Sequence, residues 1–133
     1  GHGAGRARLG EDVAVPKSRL AEMFAELERL GTVHGIRTSA VAHAGDGNLH
    51  PSLSLPLTEQ DPSAPLPAPL LAAADDLVRA ALALGGTISG EHGIGTSKRS
   101  WLDLELSPAS RALQRDLKAV FDPQNLLNPG KAL

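Results

Sequence analysis

His43-Ala44-Gly45-Asp46-Gly47-Asn48-Leu49-His50 is a glycine-rich segment with a histidine at each end. Gly and Asn tolerate positive φ and Asp-Gly is typical of hairpins, so residues 45–48 predict a tight turn. Leucines alternate with polar residues over 49–55, which predicts a strand after the turn. The partly β-branched residues 36–42 predict the strand that enters it.

A helix is predicted on each side of this hairpin. The first begins after Ser18 as N-cap, ends at Gly31 or Gly35, and repeats apolar residues at helical spacing at Leu20, Phe24, Leu27 and Leu30. Residues 70–84 have the same period and are followed by a glycine pair, which predicts the second helix. Five prolines in residues 56–69 predict a loop before the second helix.

Short β-branched runs predict two more strands, one at residues 12–16 and one at residues 87–89. The resulting order β-α-β-β-α-β is the split βαβ pattern, so we expect an α+β, ferredoxin-like sheet. Another helical segment within 94–105 and a helix from Ser107-Pro108 to about residue 120 add a C-terminal helical tail. We expect residues 1–9 to be a tag or disordered lead-in to one domain over 10–133.

This topology predicts that three chemistry-bearing residues meet at one edge of the sheet. The second and fourth strands run in the same direction and the third runs opposite. The end of the second strand, His43, the start of the third, His50, and the end of the fourth, Glu91, therefore lie together. Neighbours in an extended segment point to opposite sides, so we expect His92 to face away from the metal that Glu91 would bind and towards a substrate, as a general base or acid.

Two imidazoles and one carboxylate match a divalent cation such as zinc. The chain has no cysteine, so His, Asp or Glu must hold any metal. The alternative is that His43, His50 and Glu91 are purely structural. We expect Asp46 to be a turn former, and we expect His2 and His34 to be structural or solvent-exposed. Lys98 either pairs with a substrate carboxylate or lies on a solvated helix face.

Composition excludes several other classes of function. A net charge of −2 and a pI of about 6.2 argue against a nucleic-acid module, which would carry a basic stripe. No apolar run approaches the ~18 residues of a membrane span, and no signal peptide is visible. We expect a cytoplasmic protein, with peripheral attachment to the inner face of the membrane as the other location considered.

Three motifs, at residues 43–50, 86–95 and 121–131, resemble in the same order the C-terminal domain of FAD-linked oxidases of the vanillyl-alcohol oxidase type. The resemblance covers residues 10–133 and extends to glycolate oxidase, D-lactate dehydrogenase and D-2-hydroxyglutarate dehydrogenase. It implies oxidation of a 2-hydroxy acid to a 2-oxo acid, with hydride passing to FAD. It also implies zinc or a similar ion on His43, His50 and Glu91, and His92 as the base.

The same resemblance implies which partners are needed. FAD is expected to be held mainly by an N-terminal domain, so this chain is the C-terminal part of a flavoenzyme and turns over little alone. Asn128 is expected to contact FAD, and Asn48 and Lys98 to bind substrate. Ser52 stands where hydroxyglutarate enzymes have asparagine, which favours glycolate or D-lactate. An electron-accepting subunit is a further expected partner, and the chain alone is expected to self-associate.

Two other functions remain open from the sequence. One is a stand-alone ferredoxin-like module that binds a small acid without redox chemistry. The other is a flavin-independent metallohydrolase that uses the same His/His/Glu site.

Overall fold

A computed structural model of the chain describes residues 5–57 and 64–133. The chain divides into two units, residues 1–91 and residues 92–133. Within the described ranges, all β-strands belong to the first unit and the second is helical. The candidate metal ligands His43, His50 and Glu91 all lie in the first unit, so its sheet is the part of the fold that positions them.

The strands are β1 (Arg6–Gly10), β2 (Val13–Ala14), β3 (Arg37–His43) and β4 (Asn48–Pro56). β4 is central and pairs antiparallel with the other three. β1 pairs with the C-terminal half of β4 and β2 with its first two residues, so β1 and β2 follow one another along the same edge. β3 pairs along the opposite edge. The chain therefore has the predicted mixture of helices and an antiparallel sheet.

The first strand differs from the prediction. Residues 12–16 contain only the two-residue β2, and the longer β1 was missed because it falls in the predicted lead-in. Disorder was the wrong expectation for residues 6–9, whereas residues 1–4, with His2, lie outside the described residues. In β1, exposed and half-buried residues alternate, and the Arg6 guanidinium donates a hydrogen bond to Ser54 Oγ at 3.1 Å.

Two helices pack with this sheet, α1 (Leu20–His34) and α2 (Ala68–Ala83). Gly35 ends α1 in the left-handed conformation, which confirms one of the two predicted stops. The buried residues of α1 are Met23, Leu27 and Leu30, while Phe24 is partly exposed, so the predicted apolar face was wrong at that position. Ser18 does not cap α1, because it lies in a 3-10 turn that precedes the helix.

The last residue of α1 contacts the middle of α2 through a side-chain hydrogen bond. His34 Nε2 lies 2.8 Å from Asp76 Oδ2, and only 15% of the histidine side chain is exposed. The structural role predicted for His34 is therefore confirmed.

The predicted fourth strand is reduced to one bridge. Ala14 and Thr87 exchange two backbone hydrogen bonds, of 2.8 and 3.3 Å, and residues 88–91 continue without regular structure. A Cβ at Gly86 would lie 2.0 Å from the Ala14 carbonyl oxygen, so only glycine allows this approach. The bridge brings the chain that carries Glu91 beside β2.

The second unit contains a 3-10 turn (Arg99–Trp101), α3 (Leu102–Glu105) and α4 (Pro108–Phe121). Ser107 Oγ accepts a hydrogen bond from the Ser110 amide at 3.2 Å, which confirms the predicted N-cap.

Asp122 stabilises the segment that follows α4 by hydrogen bonds. Its carboxylate accepts hydrogen bonds from the amides of Leu126 and Leu127, at 2.8 and 3.0 Å. The hydrogen bond from the Lys118 ammonium, with help from these amides, holds the pKa of Asp122 below its ordinary value although burial acts in the opposite direction.

α4 carries an exposed apolar patch, which we call the α4 patch. More than half of the surface of each member is exposed; the members are Leu113, Leu117, Val120 and Phe121. Their spacing follows one face of a helix, so the patch is continuous rather than scattered. None of the helices in the described ranges is long and apolar enough to cross a membrane.

Candidate metal centre

The turn between β3 and β4 places the two histidines of the first motif. Asp46 Oδ1 accepts a hydrogen bond from the Asn48 amide at 3.0 Å, so Asp46 is the turn former that the sequence predicted. Gly47 has φ of +87°, and a Cβ there would lie 2.0 Å from the Val15 carbonyl oxygen. The Val15 amide donates a 3.0 Å hydrogen bond to Gly47 O, which ties the turn to the end of β2.

The strand register puts both imidazoles on one face of the hairpin. His43 is paired with Asn48, and His50 is paired with Val41, so the two histidines are diagonal neighbours across the strands. Their ring centroids are 5.3 Å apart and the rings are nearly perpendicular, at 83°.

Glu91 completes the cluster from a distant part of the sequence. Its Oε1 lies 3.0 Å from His50 Nε2 and 4.0 Å from His43 Nε2. One ligand atom of each residue lies within 4.8 Å of the other two. The predicted convergence of these three residues is therefore observed, but the predicted strand direction was wrong. The bridge between Thr87 and β2 is antiparallel, and β2 is antiparallel to β4, so the segment that leads to Glu91 runs in the direction of β4 and opposite to β3.

The cluster is suited to a divalent metal. Tetrahedral zinc, with bonds of about 2.0–2.2 Å, holds its ligand atoms roughly 3.3 Å apart, between the two distances to Glu91. His50 is the more enclosed ligand, with 24% of its side chain exposed, whereas about half of each of the other two side chains is exposed. The exposed side leaves room for a non-protein ligand. His/His/Glu is also a set of donor atoms that zinc uses in catalytic sites.

Asp12 is a participant that sequence reasoning missed. It is 1% exposed, and its Oδ2 accepts hydrogen bonds from Ser89 Oγ at 2.9 Å and from the Glu91 amide at 3.0 Å. One of its carboxylate oxygens also lies within 4.8 Å of a ring nitrogen of His50. The sequence predicts Asp12 only as the first residue of a strand. The signal for this role was an acidic residue next to a buried β-branched run. A carboxylate buried with such a run needs hydrogen-bond donors.

The predicted substrate-binding residues are both buried. Asn48 lies within the first unit, and among the described residues its Oδ1 has no hydrogen-bond partner. Lys98 belongs to the second unit and is 5% exposed, so the alternative of a solvated helix face was wrong.

The predicted base and the predicted flavin contact are exposed residues of the second unit. His92 is its first residue and directly follows Glu91 in the chain. Asn128 has φ of 48° and its carbonyl accepts a 3.1 Å hydrogen bond from the Lys131 amide, so it forms a tight turn.

Comparison with known proteins identifies the family. The sequence pattern of the family described as FAD linked oxidases, C-terminal domain, matches residues 1–132. The chain therefore belongs to this family, which confirms the resemblance seen in its three motifs.

Curated relatives agree with this assignment. The chain is 37% identical over 121 residues to glycolate oxidase subunit GlcD of Bacillus subtilis, and 39% identical over 122 residues to a D-lactate dehydrogenase of Archaeoglobus fulgidus. A probable mitochondrial D-lactate dehydrogenase of Danio rerio is 38% identical over 122 residues. The alignments cover 91–92% of this chain but only 24–26% of the relatives. The chain thus spans about a quarter of their length.

Proposed function

We propose that this chain is the substrate- and metal-binding C-terminal part of an FAD-dependent oxidoreductase that oxidises a small 2-hydroxy acid to the 2-oxo acid. The observation that carries the proposal is the convergence of His43, His50 and Glu91 in a member of the FAD-linked oxidase family. Glycolate and D-lactate are the proposed substrates, because the relatives are called glycolate oxidase and D-lactate dehydrogenase.

His43, His50 and Glu91 are the proposed ligands of a divalent metal, with zinc as the first candidate. Their separations support this role, since sub-ångström movements of exposed side chains would equalise them. A bound metal would supply Lewis-acid polarisation of the substrate hydroxyl. The two histidines would bind it through neutral ring nitrogens and Glu91 through a carboxylate oxygen.

His92 is the proposed base that takes the hydroxyl proton on a ring nitrogen. Its support is its position, since it is exposed and directly follows a proposed metal ligand. Lys98 and Asn48 are the proposed substrate-binding residues. The Lys98 ammonium would pair with the substrate carboxylate, and Asn48 Oδ1, which has no hydrogen-bond partner in the described ranges, can accept a hydrogen bond from a hydroxyl.

FAD is proposed to be bound mainly by an N-terminal domain of the same polypeptide, with Asn128 as a contact from this chain. Bound flavin would supply the two-electron acceptor for the oxidation. The α4 patch supports a partner domain, because a continuous exposed apolar surface is typical of an interface. The chain alone is proposed to self-associate through the same patch, and an electron-accepting subunit is proposed to reoxidise the flavin.

Two finer assignments belong to the same proposal. The first unit is proposed to be a ferredoxin-like sheet in which the bridge between Ala14 and Thr87 stands for the fourth strand. The protein is proposed to act in the cytoplasm or at the inner face of the membrane.

The experiment that tests the function uses the full-length polypeptide containing this chain. His92→Ala should abolish flavin reduction by glycolate or D-lactate in stopped-flow absorbance, while the FAD content stays at the wild-type level. His34→Ala is the matched control, because His34 is committed to the pair with Asp76. Wild-type reduction kinetics in His92→Ala would overturn the role of the base. No reduction by any 2-hydroxy acid in the wild-type enzyme would overturn the proposed function.

A further inference from the structure

We propose that Asp12 is the positioning residue of the metal centre, and that it holds the backbone of Glu91 so that the carboxylate of Glu91 can meet the two histidines. The inference rests on the proposed metal site and adds a residue outside its ligand set. Asp12 lies between β1 and β2, 79 residues away from Glu91 in sequence. Its carboxylate is the direct link between that edge of the sheet and the segment that carries the third ligand.

The segment around Glu91 has no regular structure of its own. The bridge at Thr87 is isolated, and residues 89–91 belong to neither a helix nor a strand. Asp12 Oδ2 accepts hydrogen bonds from Ser89 Oγ at 2.9 Å and from the Glu91 amide at 3.0 Å, and Oδ1 lies 3.3 Å from the same amide. The carboxylate thus accepts hydrogen bonds from the segment on both sides of Gly90.

At Gly90 the segment packs closely against Asp12 and Asn48. A Cβ at this position would lie 2.9 Å from Asp12 Oδ1 and 2.1 Å from Asn48 Oδ1. The backbone therefore lies directly against the carboxylate, and no larger residue could occupy this position without displacing it.

This arrangement explains why a carboxylate is buried here. Asp12 is 1% exposed, and a buried charge is costly unless donors satisfy it. The Glu91 amide and the Ser89 hydroxyl supply such donors, and hydrogen bonds to an ionised acceptor are about twice as strong as neutral ones. Asparagine would keep the shape of Asp12 but would replace one acceptor oxygen by a second donor facing the Glu91 amide.

The functional consequence is a lower cost of metal binding. The Glu91 side chain is half exposed and would lose conformational freedom when it binds a metal. A fixed backbone removes part of that loss in advance, as outer-shell partners do in metal sites. Loss of Asp12 should therefore weaken metal binding while leaving all three ligands in the sequence.

The test compares Asp12→Asn with Asp122→Asn in the 133-residue chain. Both replace a buried aspartate that accepts hydrogen bonds from backbone amides, but the donors to Asp122 are Lys118, Leu126 and Leu127 of the second unit. Zinc affinity is measured by calorimetry, and the visible absorption of the cobalt-loaded chain reports ligand geometry. Hydrogen exchange of the Glu91 amide, followed by NMR without metal, reports the hydrogen bond itself.

The expected result for Asp12→Asn is about 10- to 100-fold weaker zinc binding, the range found for outer-shell partners, together with an altered cobalt spectrum and faster exchange of the Glu91 amide. Asp122→Asn should keep the wild-type affinity and spectrum. Ser89→Ala, which removes the hydroxyl donor and keeps the Glu91 amide, should give a smaller loss and carries the test if Asp12→Asn does not fold. Wild-type affinity in a folded Asp12→Asn chain would overturn this inference alone. No zinc binding by the wild-type chain would overturn the metal site as well.

Discussion

Replacement of Gly47 by alanine should damage the hairpin that holds both histidines. Gly47 has φ of +87°, and an L-residue with a Cβ costs about 1–2 kcal/mol in a left-handed conformation. The new Cβ would also lie 2.0 Å from the Val15 carbonyl oxygen, so the turn must move away from β2. That movement breaks the hydrogen bond from the Val15 amide to Gly47 O, at a further cost of about 0.5–1.5 kcal/mol.

The expected loss for Gly47→Ala is therefore about 1.5–3.5 kcal/mol in the free energy of unfolding, the sum of these two ranges. Urea unfolding followed by circular dichroism measures it. Gly35→Ala is the matched control for strain, since Gly35 also has positive φ but open space around its Cβ. Gly45→Ala has neither feature and should change stability by less than about 1 kcal/mol. Equal losses in Gly47→Ala and Gly35→Ala would refute the argument that contact with Val15 fixes the turn.

Two further predictions concern the second unit. The hydrogen bond from Lys118 lowers the pKa of Asp122 in the folded state. The ionised carboxylate therefore stabilises the protein above the ordinary pKa of aspartate. This stability is lost as the pH falls through the lowered pKa. Asp122→Asn should thus lower the urea midpoint at neutral pH and reduce its decline in acid; parallel pH profiles for the two proteins would contradict this sign. The double substitution Leu117→Glu, Val120→Glu should convert self-associated chain to monomer in light scattering, with Val33→Glu, an exposed apolar residue of α1, as control. A wild-type chain that is already monomeric at high concentration would contradict the proposed self-association.

Local signals in the sequence were enough for the elements that depend on neighbours along the chain. Gly35 supplies the left-handed residue that ends α1, and Ser107 caps α4 through an amide three residues away. The two-histidine arrangement was predictable for the same reason. A tight turn fixes the register of a hairpin, and the register places His43 and His50 on one face.

The features that were missed depend on contacts between distant residues. Two of the five residues of β1 are arginine and the strand alternates weakly, so its pairing with β4 is visible only in three dimensions. Leu27 and Leu30 of α1 are buried as predicted, but Met23 is buried instead of Phe24, because a single helix does not reveal which side meets the sheet.

Burial of charge was the other feature that the sequence did not reveal. Asp12 and Lys98 look like ordinary surface residues at the start of a strand and on a helix, yet both are almost completely buried. Asp12 acquires its role from donors that lie 77 and 79 residues along the chain. No local sequence pattern indicates such distant donors. A buried carboxylate nevertheless needs donors, because burial of an unpaired charge is costly.

The central claim is that His43, His50 and Glu91 form a metal site, and elemental analysis of the purified 133-residue chain tests it most directly. We expect near-stoichiometric zinc or manganese in the wild-type chain. The metal should be lost in folded His43→Ala and His50→Ala chains and retained in His34→Ala, whose histidine is paired with Asp76. A wild-type chain without metal, or the same metal content in all four proteins, would contradict the account.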